Sequence, residues 1–528
     1  MVNSGNNDKR LMAIFLLFGV AIRALVIWSG LAERGLIADD AYYYFTIARN
    51  IAGGLGPTFD TLAPTNGFHP LWLLVLVPVF ALFGGYLWIP VKVALSISSV
   101  FDIGSGLLIY TILRNKGLHT EASTAAIIWL LAPFTLLLGL RGMEISLSVF
   151  VILLLIRYLS ANETTLASFR HALVAGFLVG LSGWVRTDNL PILGLALAIT
   201  ILIVERASIL RKTFWILLAA VMAFVVVLPW FAWNHTHFGQ VMQISGITKS
   251  HEAWSFAAIA GELKSLDGII RVIAYTLLSP ITYPSKFLAG EEFRSPGISV
   301  FIILALLLLF LMLAAKIQNA WKNSHSTGHF ILTFAAIYIL THVLLYGVIL
   351  RFYAVWYALP FYAMLCILIG IVWQGKRSET SRQGNVRRMT VPAVVVFNLA
   401  IYLLFFARVP TSYSASDDYY GPTLEIISRD YSGGAIIGAF NAGAPGYIAP
   451  EYGKLKVVNL DMLVNNDAYK ALKQGHFLDY IAQTIDVFIE DPRLAASHLS
   501  PEETEILCAL YTRPDTMPYW RKFMMLED

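Results

Sequence analysis

Apolar runs follow one another at residues 11–29, 71–90, 91–113, 122–140, 145–159, 172–185, 190–204, 213–231, 299–315, 330–350, 352–373 and 391–407. Each approaches the ~20 residues an α-helix needs to cross the hydrocarbon core of a bilayer. In lipid the backbone has no water to bond, so such runs must be helical. Charged residues make up 14% of the 528 and hydrophobic residues 57%, with a mean hydropathy of +0.66. That is about half the charge of a soluble domain, and it excludes disordered and collagen-like chains. Two cysteines, Cys366 and Cys508, make no disulfide framework. The net charge of +4 would suit a nucleic-acid partner, but the basic residues cluster between apolar runs and so mark membrane orientation; no nucleic acid is expected. The chain reads as a polytopic α-helical membrane protein with about 11–12 transmembrane or partly embedded helices.

The basic clusters set the sidedness. They fall at Arg114/Lys116, Arg157/Arg170, Arg206/Arg211/Lys212, Lys316/Lys322 and Lys376 through Arg388. With these in the cytoplasm, the N-terminus is cytoplasmic, and the loops 30–70 and 232–298 face outward. Lys9 and Arg10 precede the first run, and no small-residue cleavage site follows it, so it reads as a retained helix. Residues 141–144 are then outside only if one intervening run fails to cross. The segment 71–90, interrupted by Pro78, Gly84, Gly85 and Pro90, is the expected one; a break of 122–140 at Pro133 is the alternative.

A second domain is expected after residue 407. Short apolar runs at 435–440, 456–461 and 486–490 read as buried strands among Gly/Pro turns and helical stretches such as 466–474. Residues 1–407 thus form the membrane domain and 408–528 an extracytoplasmic α/β domain with parallel strands.

The first outer loop holds the strongest chemical signal, "IADDAYYYFTIARNIAGGLGPTFDTLAPTNGFHPLW" (37–72). Asp39 and Asp40 sit where the first helix leaves the bilayer, followed by Tyr42, Tyr43, Tyr44 and Phe45, side chains suited to the headgroup level. A carboxylate there is a candidate general base for a hydroxyl, or a ligand for a divalent ion at Asp39/Asp40. A helix start favouring acidic residues would give the same pattern.

The acidic pair after the first span, the aromatic run, "AR", the Gly-rich turn and "TNGFHPLW" resemble the GT-C superfamily of membrane glycosyltransferases. That superfamily includes protein O-mannosyltransferases, aminoarabinose transferases and oligosaccharyltransferases. The resemblance implies a GT-C-like fold and transfer of a sugar, on the outer face of the plasma membrane, from a polyprenyl-phosphate-linked donor. It implies that Asp39 is the catalytic acid residue, with Asp40 its neighbour and Glu144 of "GMEISL" a second carboxylate. Lys249, in "QISGITKS", resembles a basic position after a Gly/Ser turn in related enzymes.

A lipid-linked phosphate needs outward-facing cations. Arg351, flanked by aromatics in "LRFYAVWYALPF", can grip phosphate bidentately. Arg186, with Asp188 in "WVRTDN", sits at a turn between two short runs, and Lys286 and Arg294 are weaker candidates. His69 either bonds the donor phosphate or holds its loop. His235 and His237 lack a carboxylate or cysteine nearby to complete a metal site. "NAGAPGYIAP" (441–450) is a binding turn or a plain connection. The acceptor would be a glycan, lipid or protein, and membrane lipids are further partners. A secondary transporter, or a carrier-binding assembly protein without catalysis, remains the alternative to an enzyme.

Overall fold

The apolar runs fold as helices in a computed structural model that describes residues 4–33, 35–162, 168–250, 279–280, 329–350, 354–372, 417–490, 499–512 and 519–522. In chain order these are α1 (Ser4–Trp28), α2 (Asp39–Ala52), α3 (Pro70–Phe83), α4 (Ile89–Arg114), α5 (His119–Leu131), α6 (Pro133–Gly139), α7 (Ile145–Ala161), α8 (Phe169–Val185), α9 (Asn189–Val204), α10 (Ile209–Phe238) and α11 (Ile244–Ser250). The helix His329–Val343, its π-helical continuation Leu344–Ile349 and the helix Ala358–Val372 follow. By length and composition α4, α10 and His329–Tyr346 can each cross a membrane, and α5 with α6 qualify together as one span bent by 53°. The bend falls at Pro133, which occupies the first position of α6 after an extended Ala132. The runs at 299–315 and 391–407 lie outside the described residues.

Two faces of the bundle are distinguishable. At one, Lys116 Nζ donates to Ser160 O at 2.7 Å, joining the end of α4 to the end of α7. At the other, Ala38 N–H donates to Arg141 O at 3.0 Å and Arg186 meets Glu144. The helix α3 does not run from one face to the other. Its 14 residues span only ~21 Å at 1.5 Å per residue, and they lie along α2, with Phe80 stacked on Phe45 at 5.9 Å. Beyond its end, Leu87 O accepts from Tyr447 Oη at 2.5 Å, and Lys92 Nζ lies 3.6 Å from Glu33. Both ends of α3 therefore belong to the face of the acidic pair, while the bent α5–α6 pair connects the two faces.

Within the bundle, Arg23 of α1 donates to Asp102 of α4 through Nε and Nη2 at 2.8 and 2.5 Å, and through Nη1 to Leu130 O at 3.1 Å. Both side chains are fully enclosed, so the pair clamps α1, α4 and α5 together. The helix Asp417–Asp430 is followed by a sheet whose strands, in spatial order, are Leu455–Asn459 (β2), Ala435–Ala439 (β1), Val487–Phe488 (β3), Trp520–Lys522 (β5) and Tyr511–Thr512 (β4). Parallel β1, β2 and β3 are extended by antiparallel β5 and β4. The antiparallel edge is absent from the sequence reading, because two- and three-residue strands are too short to carry an alternating pattern.

Candidate active site

The helix α2 opens on Asp39 and Asp40, whose negative charge its dipole favours. The two carboxylates meet different neighbours. Asp39 accepts the backbone N–H of Gly443 at 2.9 Å and of Ala444 at 2.8 Å, at the start of the tail helix Gly443–Ile448. A Cβ on Gly443 would lie 2.1 Å from the Asp39 carbonyl oxygen, so only glycine allows this approach. Burial raises the Asp39 carboxyl to about 6 in spite of those two bonds. Asp40 lines a cavity of about 460 Å³. There its Oδ2 lies 3.5 Å from Lys249 Nζ of α11. Burial works against the charge on Lys249, but Tyr357 and the Asp40 carboxylate outweigh it and hold the ammonium protonated.

Turns between helices build the wall that faces them. Arg186, at the end of α8, donates through Nη1 to Glu144 Oε1 at 2.6 Å, and through Nε and Nη2 to the two oxygens of Asp188 at 3.1 and 2.6 Å. Its guanidinium lies 4.5 Å above the Tyr357 ring, and Tyr346 Oη donates to Asp188. Tyr346 belongs to the π-helical segment, a geometry often found at functional sites. Burial would raise the Asp188 carboxyl, yet the Arg186 charge holds it down at about 2.

"TNGFHPLW" turns out to be a junction. Asn66, fully buried, donates to Asn234 Oδ1 at 3.0 Å, and its Oδ1 accepts from Ile244 N–H at 3.2 Å and Asn466 Nδ2 at 2.9 Å. It thereby ties the first loop to α10, α11 and the tail domain. A Cβ on Gly67 would stand 2.1 Å from Leu463 O, so the tail chain packs directly on that backbone. His69 lines the cavity, with Nε2 4.0 Å from Glu144 and Nδ1 3.4 Å from Gln243 Nε2. Burial lowers it to about 4, leaving a neutral imidazole.

Asp40, His69, Glu144, Arg186 and Lys249 thus share one cavity, whose lining also includes the apolar Leu190, Phe231 and Leu350. Asp39 borders it only through its neighbours. Arg351, Lys286 and Arg294 lie outside the described residues. His235 and His237 are exposed in the last turn of α10, where His237 Nδ1 sits 3.0 Å from Trp233 O. A divalent ion does not fit the acidic pair: both Asp39 oxygens hold amides, Asp40 faces an ammonium, and among the described residues no three His, Cys, Asp or Glu side chains form a metal cluster. The sequence reading missed Tyr346, Gln243 and Asp461. Of the lining residues, Tyr43 and Tyr44 were visible only as part of the aromatic run.

No family model matches the chain, and no curated protein matches it by sequence. Solved structures do share its architecture. ArnT from Cupriavidus metallidurans bound to undecaprenyl phosphate has a TM-score of 0.58 at 14% identity, over 91% of this chain and 94% of that one. The Archaeoglobus fulgidus oligosaccharyltransferase in complex with zinc and sulfate gives 0.52 at 13% identity, over 96% and 73%. The same enzyme tethered to an acceptor peptide gives 0.54 at 13% identity, over 96% and 74%. Both proteins are GT-C glycosyltransferases, and this chain has the GT-C fold.

Proposed function

We propose that the chain is an inverting membrane glycosyltransferase that takes a sugar from a polyprenyl-phosphate carrier and gives it to a hydroxyl on the outer face of the plasma membrane. In this reading the N-terminus is cytoplasmic, and the tail domain and cavity face outward. The observation that carries it is the Asp40 carboxylate 3.5 Å from the Lys249 ammonium in a cavity lined by Arg186 and Lys249, their carboxylate partners and apolar side chains. One of the structures sharing the fold holds undecaprenyl phosphate, which supports a lipid phosphate as the carrier.

The acceptor hydroxyl gives its proton to Asp40 as its oxygen bonds to the anomeric carbon. The bond from that carbon to the phosphate oxygen breaks, and the polyprenyl phosphate leaves with the electron pair. Lys249 turns from Asp40 to the phosphate when the donor enters, which leaves the Asp40 carboxylate available for the acceptor's proton. Lys249 and Arg186 stabilise the charge growing on the leaving group, the larger electrostatic effect in such chemistry. Glu144 and Asp188 hold Arg186 in position, and His69 offers a neutral ring nitrogen. Arg351 is a further phosphate ligand in this proposal. The family pattern assigns the base to Asp39. With its carboxylate spent on Gly443 and Ala444, the geometry favours Asp40 as base and Asp39 as the seat of the tail domain.

Transfer of labelled sugar from polyprenyl-phosphate donors by the purified chain tests this. Asp40→Asn lowers the rate by about 10²–10⁴ and keeps the binding of undecaprenyl phosphate. Undiminished transfer by that variant would remove Asp40 from the chemistry.

A further inference from the structure

The turn that follows β2 reaches the site from the tail domain. The strands β1 and β2 are parallel, so their carboxyl ends open on the same side, and both contact α2 from there. Such an edge is where open α/β sheets meet their ligands. After β1 the chain holds Asp39; after β2 it presents Asn459 and Asp461 to Tyr43. Tyr43 stands one turn beyond Asp40 on the same face of α2, and both line the cavity. Its hydroxyl receives the Asn459 amide at 2.9 Å and donates to Asp461 Oδ2 at 3.4 Å. The next residue, Met462, has a φ of 64°, a conformation that non-glycine residues seldom adopt and that surrounding structure must hold. Its carbonyl accepts from Thr248 Oγ1 at 3.4 Å, on the helix that carries Lys249. One strained turn of the tail domain therefore grips the Asp40 helix on one side and the Lys249 helix on the other.

We propose that Asp461 is a positioning residue of the transfer site, supplied by the tail domain, which through Tyr43 fixes Asp40 relative to Lys249. The proposal rests on the reading of Asp40 and Lys249 as base and phosphate ligand. Burial, reinforced by the charges of Asp40 and Asp39, pushes the Asp461 carboxyl up to about 8. Near neutral pH it is therefore mostly protonated and adds no second negative charge beside Asp40. The groups that face it are Asp39, Asp40 and Tyr43 from α2, with Asn459 and the Leu463 amide from its own turn. Once ionised, it places a further carboxylate near the phosphate subsite and weakens the hold on an anion.

Two measurements on the full chain in nanodiscs test this. The first is hydrogen exchange without ligand. Asp461→Ala speeds exchange at residues 40–45 and 244–250 by about tenfold or more, and the isosteric Asp461→Asn restores protection. No change at either segment overturns the proposal; faster exchange in α7 as well marks unfolding, and Asp461→Asn then carries the test. The second is the affinity for undecaprenyl phosphate between about pH 7 and pH 9. In the native chain it falls about fivefold or more, and in Asp461→Asn this fall disappears. A variant that keeps the native pH profile overturns the proposal. A native chain that binds no lipid phosphate refutes the carrier reading instead, and the exchange result still decides the role of Asp461.

Discussion

Arg186 Nη1 lies 2.6 Å from Glu144 Oε1, two residues buried at the ends of different helices and 42 positions apart. The same guanidinium spans both oxygens of Asp188, so one cation serves two carboxylates. A fork of fixed geometry can do this, and a single ammonium cannot. Arg186→Ala strands the buried Glu144 and the half-buried Asp188 and lowers stability by about 3–5 kcal/mol, read as detergent-solubilised thermal unfolding. Arg186→Lys recovers only part of the loss. Unfolding of the lysine variant at the native temperature would mean that the fork is not what the site needs.

The neighbours Asp39 and Asp40 separate by substitution. Asp39→Asn keeps one acceptor for the two N–H groups of Gly443 and Ala444, so hydrogen exchange quickens at 443–448 while transfer persists at a reduced rate. Gly443→Ala acts from the other side, since its Cβ would meet the Asp39 carbonyl. Gly433→Ala, with nothing within 4 Å of its Cβ, stays within ~0.5 kcal/mol of the native chain. Equal behaviour of the Asp39 and Asp40 variants in the transfer assay would argue that the pair acts as one unit.

Two buried groups give stability opposite dependences on pH. The Asp39 carboxyl is raised to about 6, above its ordinary value near 4. The folded chain then binds the extra proton, and the stability this contributes is full below pH ~4 and lost as pH rises through 6. The His69 imidazole is lowered to about 4 from near 6.5. Its contribution is present above pH ~6.5 and lost as pH falls through 4. The two nearly cancel in the native chain, so the single variants reveal them. Between pH ~4 and ~6, Asp39→Asn makes the melting temperature rise with pH, and His69→Gln makes it fall. Slopes that move in the same direction would contradict the assignment of either group.

Much of this was legible from local pattern. Helix placement followed from run length, because lipid leaves the backbone no other choice. Pro78, Gly84 and Gly85 foretold that the 71–90 run would be interrupted, and its helix ends at Phe83, whereas the 53° bend at Pro133 shows only in the fold. The acidic pair was visible, but the division of labour within it was not, because it depends on Gly443, 404 residues away in the chain. Asp461 was equally hidden: "NLDML" is an ordinary strand end until the tail domain docks. Asn66 carried no chemical signal of its own, since its partners come from three separate segments.

Arg23 and Asp102 interrupt two apolar runs, and each alone would be expensive within a bilayer. Their pairing at 2.5 Å answers that, yet Asp102 Oδ1 has no hydrogen-bond partner and neither residue lines the cavity. The pair is therefore separable from the proposed chemistry. Asp102→Leu alone leaves an uncompensated guanidinium among α1, α4 and α5 and destabilises by about 3–5 kcal/mol. The double variant Arg23→Met, Asp102→Leu replaces both charges by apolar groups of similar volume and recovers most of that loss, a coupling that a double-mutant cycle measures directly. Transfer per folded molecule stays at the native level in the double variant. If transfer is lost while the thermal midpoint recovers, the pair has a role in the reaction that its distance from the cavity conceals.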